Sequence, residues 1–320
     1  MSDDEIRNLF ATLWFEFKGD DCFPNKRPSL AHYTKADVLE SILKNKEVWF
    51  SHPVLMNDSE EVVFDLNTAA QLFLSNQRMK AACGTAKRFD TLKSTFTGWF
   101  NRFAKEHFPN TFVLCFSEHA REDRDGLLSM WRGYGDEGRG VAIVLDTAQL
   151  VPRDESFLIL AKVQYGSHDE RTAWIQELLG RCASILENNA IPDDKLQTCS
   201  FFIFQRLKVF AIFTKHRGFH EEIEWRIVYM RDIENAELFN HMVGYWNGPK
   251  GLQPKLKLKI GEIAGLPETD NLSLSKLIDR IILGPLSPSL ASAACAQMVQ
   301  SLGYPELSDR ISKSTIPYRA

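Results

Sequence analysis

The chain lacks several features that define whole classes of protein. Its 320 residues contain no apolar run close to the ~20 residues that a transmembrane helix needs. The N-terminal sequence MSDDEIRNLF is acidic and has neither the positive leader nor the apolar core of a secretory signal. We therefore expect no membrane partner and a cytoplasmic location.

An excess of either charge is also missing. The chain has 38 basic and 42 acidic residues, a net charge of −4 at pH 7, so its overall charge does not indicate nucleic-acid binding. This balance says nothing about a local basic groove. The six cysteines are scattered, without a Cys-x-x-Cys pair or a histidine cluster near them. That spacing predicts reduced thiols and argues against a zinc ribbon.

Neither an internal repeat nor a regular βαβ rhythm is present, so the predicted strands and helices are interleaved irregularly. This order predicts an α+β fold, with a mixed β-sheet core that carries two helical insertions. We expect one domain over residues 1–320. The sheet core is predicted at about 28–60, 110–166 and 219–320, and the helical insertions at about 60–108 and 168–214.

Glycines at positions 133, 135 and 138 form a G-x-G-x-x-G pattern. A dinucleotide-binding loop of this kind follows a strand and opens a helix. Here the pattern closes a predicted helix (127–134) and opens a predicted strand (140–146). We interpret these glycines as a helix C-cap and a tight turn.

Two of the three segments that could carry chemistry are a strand end and a short helix. In the sequence AHYTK, strand alternation puts His32 and Thr34 on one face and Tyr33 on the other. A later strand ends at Ser117 and leads to a helix that carries Trp131 and Tyr134. Each residue alone has an ordinary structural interpretation, as a satisfied edge histidine or a core aromatic.

The third segment is HEEIEWRIVY. Read as a strand, one face carries Glu222, Glu224 and Arg226, whereas the other is apolar and indicates core. One interpretation is a solvated face with an Arg–Glu pair. The other is an acid pair held by the sheet, in which Arg226 keeps one carboxylate ionised.

Taken together, these segments resemble a bacterial domain-of-unknown-function family. The resemblance runs from about His32 to Arg319 and rests on the order of its blocks, which are HYT, N-D-x-x-E, CFSE, MWxxY, GVAI, EEIEWR, IILGP and IPYR. It implies no mechanism.

More distantly, the chain resembles the ADP-ribosyltransferase fold. In its His–Tyr–Glu enzymes the histidine lies on a first strand, the tyrosine on a helix between two strands, and the catalytic glutamate at the start of a later strand. The resemblance assigns these positions to His32, Tyr134 and Glu224. Glu222-x-Glu224 is similar to the paired glutamates of arginine-modifying relatives. Ser117-Glu118 stands where the fold usually has Ser-x-Ser, and Trp131 is an alternative to Tyr134 as the stacking aromatic.

The resemblance implies that NAD is the substrate and that the acceptor is a protein or a nucleic acid. Cleavage of the nicotinamide–ribose bond passes through an oxocarbenium-like transition state, which a carboxylate stabilises without a metal. The residues implied as catalytic are Glu224, Glu222 and His32. Those implied to contact NAD are His32, Tyr33, Thr34, Ser117, Trp131, Tyr134 and Arg226.

Two other functions are compatible with the same residues. The first is a non-catalytic module that binds a nucleotide or a protein in the same cleft, as in a defence or toxin system. The second, suggested by the acidic segment 57–61, is a metal-dependent nuclease that uses Asp58, Glu60, Glu61 and a histidine, although acidic residues are common at helix starts.

Overall fold

Helices and strands alternate irregularly in the chain, whose computed structural model describes residues 1–56, 59–152, 156, 158–230, 239, 241–248, 251–263, 266 and 269–319. For residues 15, 16 and 59–64 only the backbone is described. The α-helices in this part of the chain are α1 (Asp3–Ala11), α2 (Ala36–Asn45), α3 (Ser59–Leu74), α4 (Gln77–Ala82), α5 (Ala86–Arg102), α6 (Leu128–Gly133), α7 (His168–Asn188), α8 (Leu196–Ile212), α9 (Leu274–Leu277) and α10 (Ala291–Ser301).

The β-strands in the described residues are three to nine residues long and are distributed along the chain. They are β1 (Ser29–Thr34), β2 (Glu47–Ser51), β3 (Thr111–His119), β4 (Val141–Asp146), β5 (Leu158–Lys162), β6 (Gln164–Gly166), β7 (Thr214–His216), β8 (Glu224–Met230), β9 (Val243–Gly248), β10 (Gly251–Lys259), β11 (Ile278–Leu283) and β12 (Ile311–Lys313).

Ten strands form one sheet that divides into two arms. Its base is β5-β8-β3, with β8 paired to β3 from Thr111 to Ser117. On the other edge of β3, β1 pairs only near the strand's C-terminal end, and β2 meets it at Val113. One arm continues as β1-β4-β11-β12 and the other as β2-β10-β9. The β11–β12 pair is parallel and the other pairs of this sheet are antiparallel, so the predicted mixed α+β architecture is confirmed.

The two predicted helical insertions pack against each other. Helices α3 to α5 come from the first and α7 and α8 from the second, and together with α1 they enclose a core of their own. Phe73 and Phe96 stack in this core with their ring centroids 4.1 Å apart, and Phe204 packs against Phe96. None of the described helices combines the length and apolarity that a membrane span requires.

Several elements differ from the sequence-based expectation. The apolar periodicity of residues 3–17 predicts one helix, whereas α1 ends at Ala11 and a 3-10 helix follows over Thr12–Phe17. β9 was not predicted, because its sequence VGYWNG has glycines near both ends. The sequence FLILAKVQY predicts a single strand, whereas its described residues form two, β5 and β6, and β6 pairs with β7 in a separate sheet.

The G-x-G-x-x-G segment has the predicted structural role. It closes α6 and precedes β4, with Gly138 at a φ of 85°. A Cβ atom on the next glycine, Gly140, would lie 2.2 Å from the carbonyl oxygen of Thr34. These glycines therefore allow a close approach of β4 to the end of β1.

A buried ion pair joins the two helical insertions. Asp65 of α3 accepts a hydrogen bond from Arg171 of α7 at 2.8 Å and one from the Thr214 hydroxyl at 2.9 Å. The Asp65 and Arg171 side chains are 1% and 7% exposed. Removing one partner of such a pair leaves a buried charge uncompensated, which costs several kcal/mol.

We predict that Asp65→Asn lowers the free energy of unfolding by about 3 kcal/mol, because Arg171 loses its buried counter-charge. Urea denaturation of the variant and the unmodified chain measures this difference. Glu177→Gln is the matched control, since its ion pair with Arg181 lies on the exposed surface of α7 and contributes less than about 1 kcal/mol. Equal, small effects of both substitutions would contradict the prediction.

Candidate functional site

A cavity of about 770 Å³ lies where the two arms of the sheet separate. Beyond Ala31, β1 no longer pairs with β3, and β2 touches β3 only at Ser51. The gap exposes the middle of β3 to the cavity. Its walls include the four residues that the resemblance emphasises, which are His32, Tyr134, Glu222 and Glu224.

His32 lies on the edge of this gap. Its Nδ1 atom is 3.0 Å from the carbonyl oxygen of Cys115 on β3. Because a carbonyl oxygen accepts only, Nδ1 carries the proton. Burial lowers the pKa of His32, so the ring is neutral near pH 7 and its Nε2 atom is an acceptor.

Glu224 is the first residue of β8 and lies at the centre of a buried cluster of charged side chains. Its two oxygens accept hydrogen bonds from Arg226 at 2.8 and 3.1 Å, and Oε2 also accepts one from Lys215 at 3.2 Å. Arg226 is itself buried and donates to the carbonyl oxygen of Ile212 at the end of α8. The interpretation of this strand as having a solvated charged face is therefore wrong, because Glu224 and Arg226 are 3% and 5% exposed.

Lys215 joins the two glutamates. Its ammonium group donates to Glu222 at 2.7 Å and to Glu224 at 3.2 Å, and lies 4.5 Å from the centre of the Phe219 ring. It belongs to β7, whose partner β6 supplies Tyr165. The hydroxyl of Tyr165 accepts from the backbone N–H of Glu224. Neither Lys215 nor Tyr165 was predicted as a site residue. The sequence around Lys215 was assigned to the end of a helix.

The charges in this cluster fix its protonation states. Burial opposes ionisation of Glu224, but Arg226 and then Lys215 outweigh it and lower the pKa of the carboxyl to about 2. Burial likewise opposes the charge of Lys215, while Glu224 and Glu222 raise its pKa above the ordinary value. Burial and the nearby Glu224 charge raise the pKa of the Cys115 thiol, so this thiol is not a nucleophile near neutral pH.

Glu222 is the more accessible of the two acids. It ends a 3-10 helix (Arg217–Glu222) rather than lying on the strand, and its side chain is 12% exposed, compared with 4% for Glu224. Its Oε1 atom accepts a hydrogen bond from the Tyr134 hydroxyl at 2.8 Å. Tyr134, the C-cap residue of α6, thus connects this helix with the charge cluster. Tyr134 and Glu222 both line the cavity.

Other residues that the resemblance assigned to NAD have structural partners. Trp131 is fully buried, does not line the cavity, and donates to the carbonyl oxygen of Asp125. Ser117 also lies outside the cavity wall, and its hydroxyl donates to the Glu222 carbonyl oxygen. Tyr33 and Thr34 do line the cavity, and the Tyr33 hydroxyl accepts from the N–H of Leu127. The structure therefore brings Tyr134, the C-cap residue of α6, to the cavity and keeps Trp131 of α6 in the core.

A second cavity, of about 650 Å³, has a different lining. Its walls are mainly aliphatic and aromatic side chains, among them Phe23, Leu158 and Ile263. The first cavity has a cluster of paired acids and bases with shifted pKa values, which is the usual mark of a functional site. We therefore take the cavity between the arms as the candidate site.

The metal hypothesis depended on residues that the structure does not describe. The side chains from Asn57 to Glu61 lie outside the described part of the chain. Among the residues that are described, no group of three or more histidine, cysteine, aspartate or glutamate side chains is arranged to hold a metal ion.

Comparison with known families supports the broader of the two resemblances. Residues 130–227 match the model of a family described as "Protein of unknown function (DUF2971)". This match covers less than half of the chain and includes Tyr134, Glu222, Glu224 and Arg226, but not His32. Comparison with curated proteins and with solved structures found no match.

We predict that Glu224→Gln destabilises the fold in a pH-dependent way. A carboxyl group whose pKa falls from 4.5 to about 2 on folding stabilises the fold above about pH 4.5, and this contribution is lost as the pH falls towards 2. The variant should therefore be less stable by about 3 kcal/mol at pH 7, with a difference that shrinks below pH 4.5.

Chemical denaturation at a series of pH values measures this difference. Glu306→Gln, at an exposed position, is the control and should leave stability nearly unchanged at every pH. A Glu224→Gln difference that does not vary with pH would show that the charge of Glu224 is not what stabilises the fold.

Proposed function

We propose that the protein cleaves NAD at the nicotinamide–ribose bond, as an ADP-ribosyltransferase or an NAD glycohydrolase. The observation that carries this proposal is that His32, Tyr134, Glu222 and Glu224 line one cavity, although they are far apart in the sequence. The volume of about 770 Å³ is within the range of small-molecule sites, ~300–1,000 Å³.

Glu222 is the acid that we assign to the transition state. When the nicotinamide leaves, positive charge develops on the ribose ring, and a fixed carboxylate nearby stabilises that charge more than the ground state. One oxygen of Glu222 is held by Lys215 and the other by the Tyr134 hydroxyl. Displacement of that hydroxyl by a ribose hydroxyl would bring Oε1 to the reacting sugar.

Glu224 then acts on Glu222 rather than on the substrate. Its charge is balanced by Arg226, and it shares the Lys215 ammonium with Glu222. This arrangement holds Lys215 in place and so fixes the orientation of the Glu222 carboxylate. Such rigid support is what keeps a reacting group within the narrow geometry that catalysis needs.

The remaining groups suit the recognition of the nicotinamide riboside. The neutral His32 ring has an acceptor at Nε2 for a ribose hydroxyl, and the Thr34 side chain lies on the same wall. The ring of Tyr134 offers a surface on which nicotinamide can stack. The ADP-ribosyl group would pass to water, a protein or a nucleic acid.

The test is release of nicotinamide from NAD by the purified chain, alone and with RNA, DNA or cell lysate. We expect Glu222→Gln and His32→Ala each to slow release at least about 100-fold. Glu221→Gln is the matched control, because Glu221 is the exposed neighbour of Glu222 in the same 3-10 helix, and this variant should retain full activity. Release by none of these mixtures would contradict the proposal.

A second candidate function is non-catalytic binding of a nucleotide in the same cavity. It is favoured by one observation, which is that protein groups already occupy the oxygens of both Glu222 and Glu224. A binding module would take up NAD without releasing nicotinamide, and Glu224→Gln would leave its affinity for NAD unchanged. Calorimetric titration shows NAD binding in either case, so the nicotinamide-release assay on the same protein separates the two functions.

A further inference from the structure

The outer arm of the sheet, β2-β10-β9, has one face that carries tryptophan and lysine side chains. The strand register sets Trp49 opposite Lys257, and Trp246 lies on the neighbouring strand beside Lys255. The Lys257 ammonium is 4.4 Å from the centre of the Trp49 ring, and the Lys255 ammonium is 5.5 Å from that of Trp246. We call these four residues the aromatic–lysine face.

Two glycines keep this face flat. Gly244 and Gly248 flank Trp246 at alternate positions of β9, on the same side of the strand. A Cβ atom on Gly248 would lie 2.2 Å from the Trp246 ring, and one on Gly244 would lie 3.1 Å from the Lys257 side chain. The indole ring and the lysine stem therefore lie across the strand instead of standing away from it.

The aromatic–lysine face is continuous with the candidate site. Trp49, Trp246 and Lys255 line the same cavity as His32 and Glu222. Trp246 is 40% exposed, and Lys257 is half-buried. A ligand that lies on this face therefore leads directly to the reacting groups.

Lysines at alternate positions give the face its charge. Lys255, Lys257 and Lys259 share one side of β10. Lys255 is 7% exposed and its ammonium donates to the Ser51 hydroxyl at 2.8 Å, so the accessible charges of this row are those of Lys257 and Lys259. On the neighbouring strand, the Glu47 carboxylate accepts a hydrogen bond from the Trp49 indole. Lys257 and Lys259 are two residues apart along the strand, a span of ~7 Å. These two cations, beside two indole rings, suit a ligand that combines phosphates with bases.

We propose that the aromatic–lysine face binds single-stranded nucleic acid. Bases would stack on Trp246 and Trp49, and Lys257 and Lys259 would contact the phosphates, which is the combination by which proteins bind single strands without reading their sequence. If the proposed function is correct, the bound nucleic acid is also the acceptor for ADP-ribose. The binding of nucleic acid itself does not depend on the proposed function.

The test is fluorescence anisotropy of labelled single-stranded RNA and DNA, about 15 nucleotides long, with the full chain. We expect Trp246→Ala to weaken binding at least about tenfold. Lys257→Gln should weaken binding and reduce the slope of log affinity against log salt by about 0.7. Matched controls are Tyr245→Ala, an exposed aromatic on the opposite side of β9, and Lys80→Gln, an exposed lysine on α4, both of which should bind normally.

The outcomes distinguish this proposal from the proposed function. Absence of binding to either strand, or equal binding by Trp246→Ala and Tyr245→Ala, would overturn it even if the chain releases nicotinamide. Binding that depends on Trp246 without nicotinamide release would support it and contradict the proposed function. If Trp246→Ala instead raises the KM for NAD and leaves oligonucleotide binding unchanged, the face holds the adenine of the dinucleotide, and the proposal is wrong.

Discussion

The buried cluster of Glu222, Lys215, Glu224 and Arg226 is the constraint on which the candidate site depends. Transfer of each charge out of water costs several kcal/mol, so the cluster is tolerable only when all its partners are present and hydrogen-bonded. Two carboxylates face two cations, and this balance lets the cluster lie between the sheet and the end of α8. Because its members come from β7, β8 and the 3-10 helix between them, the cluster also holds these elements together.

The division of the sheet gives this cluster an opening. If either β1 or β2 paired along the whole edge of β3, no gap would separate the two arms near Cys115. Their separation instead leaves a cavity that reaches from the neutral His32 ring to the Glu222 carboxylate and on to Trp246 at the outer arm. One structural feature thus accounts for both the cavity in which we propose that NAD binds and the surface on which we propose that nucleic acid binds.

Local patterns in the sequence predicted much of this architecture, but not the burial of its charges. The strand at Glu224–Met230 and the strand that ends near His32 are properties of short segments and were predicted correctly, although the predicted strand wrongly included Glu222, which lies in the preceding 3-10 helix. The interpretation of Glu224 and Arg226 as solvent-facing failed because their burial is produced by α8 and β7, which approach from elsewhere in the fold. The choice between Trp131 and Tyr134 likewise depends on packing against Tyr33, which no pattern on a six-residue helix reveals. Lys215 was missed for the same reason, since a lone lysine after a helix carries no local signal.

The most direct measurement of the central claim is a crystal structure of the chain with a non-hydrolysable NAD analogue. We expect the nicotinamide riboside to bind in the cavity between the two arms, with one ribose hydroxyl hydrogen-bonded to Glu222 and another near the Nε2 atom of His32. The buried ion pairs of Glu224 should be unchanged in that complex. An analogue bound in the apolar cavity beside Phe23, or bound between the arms without contact to Glu222 and His32, would contradict the account.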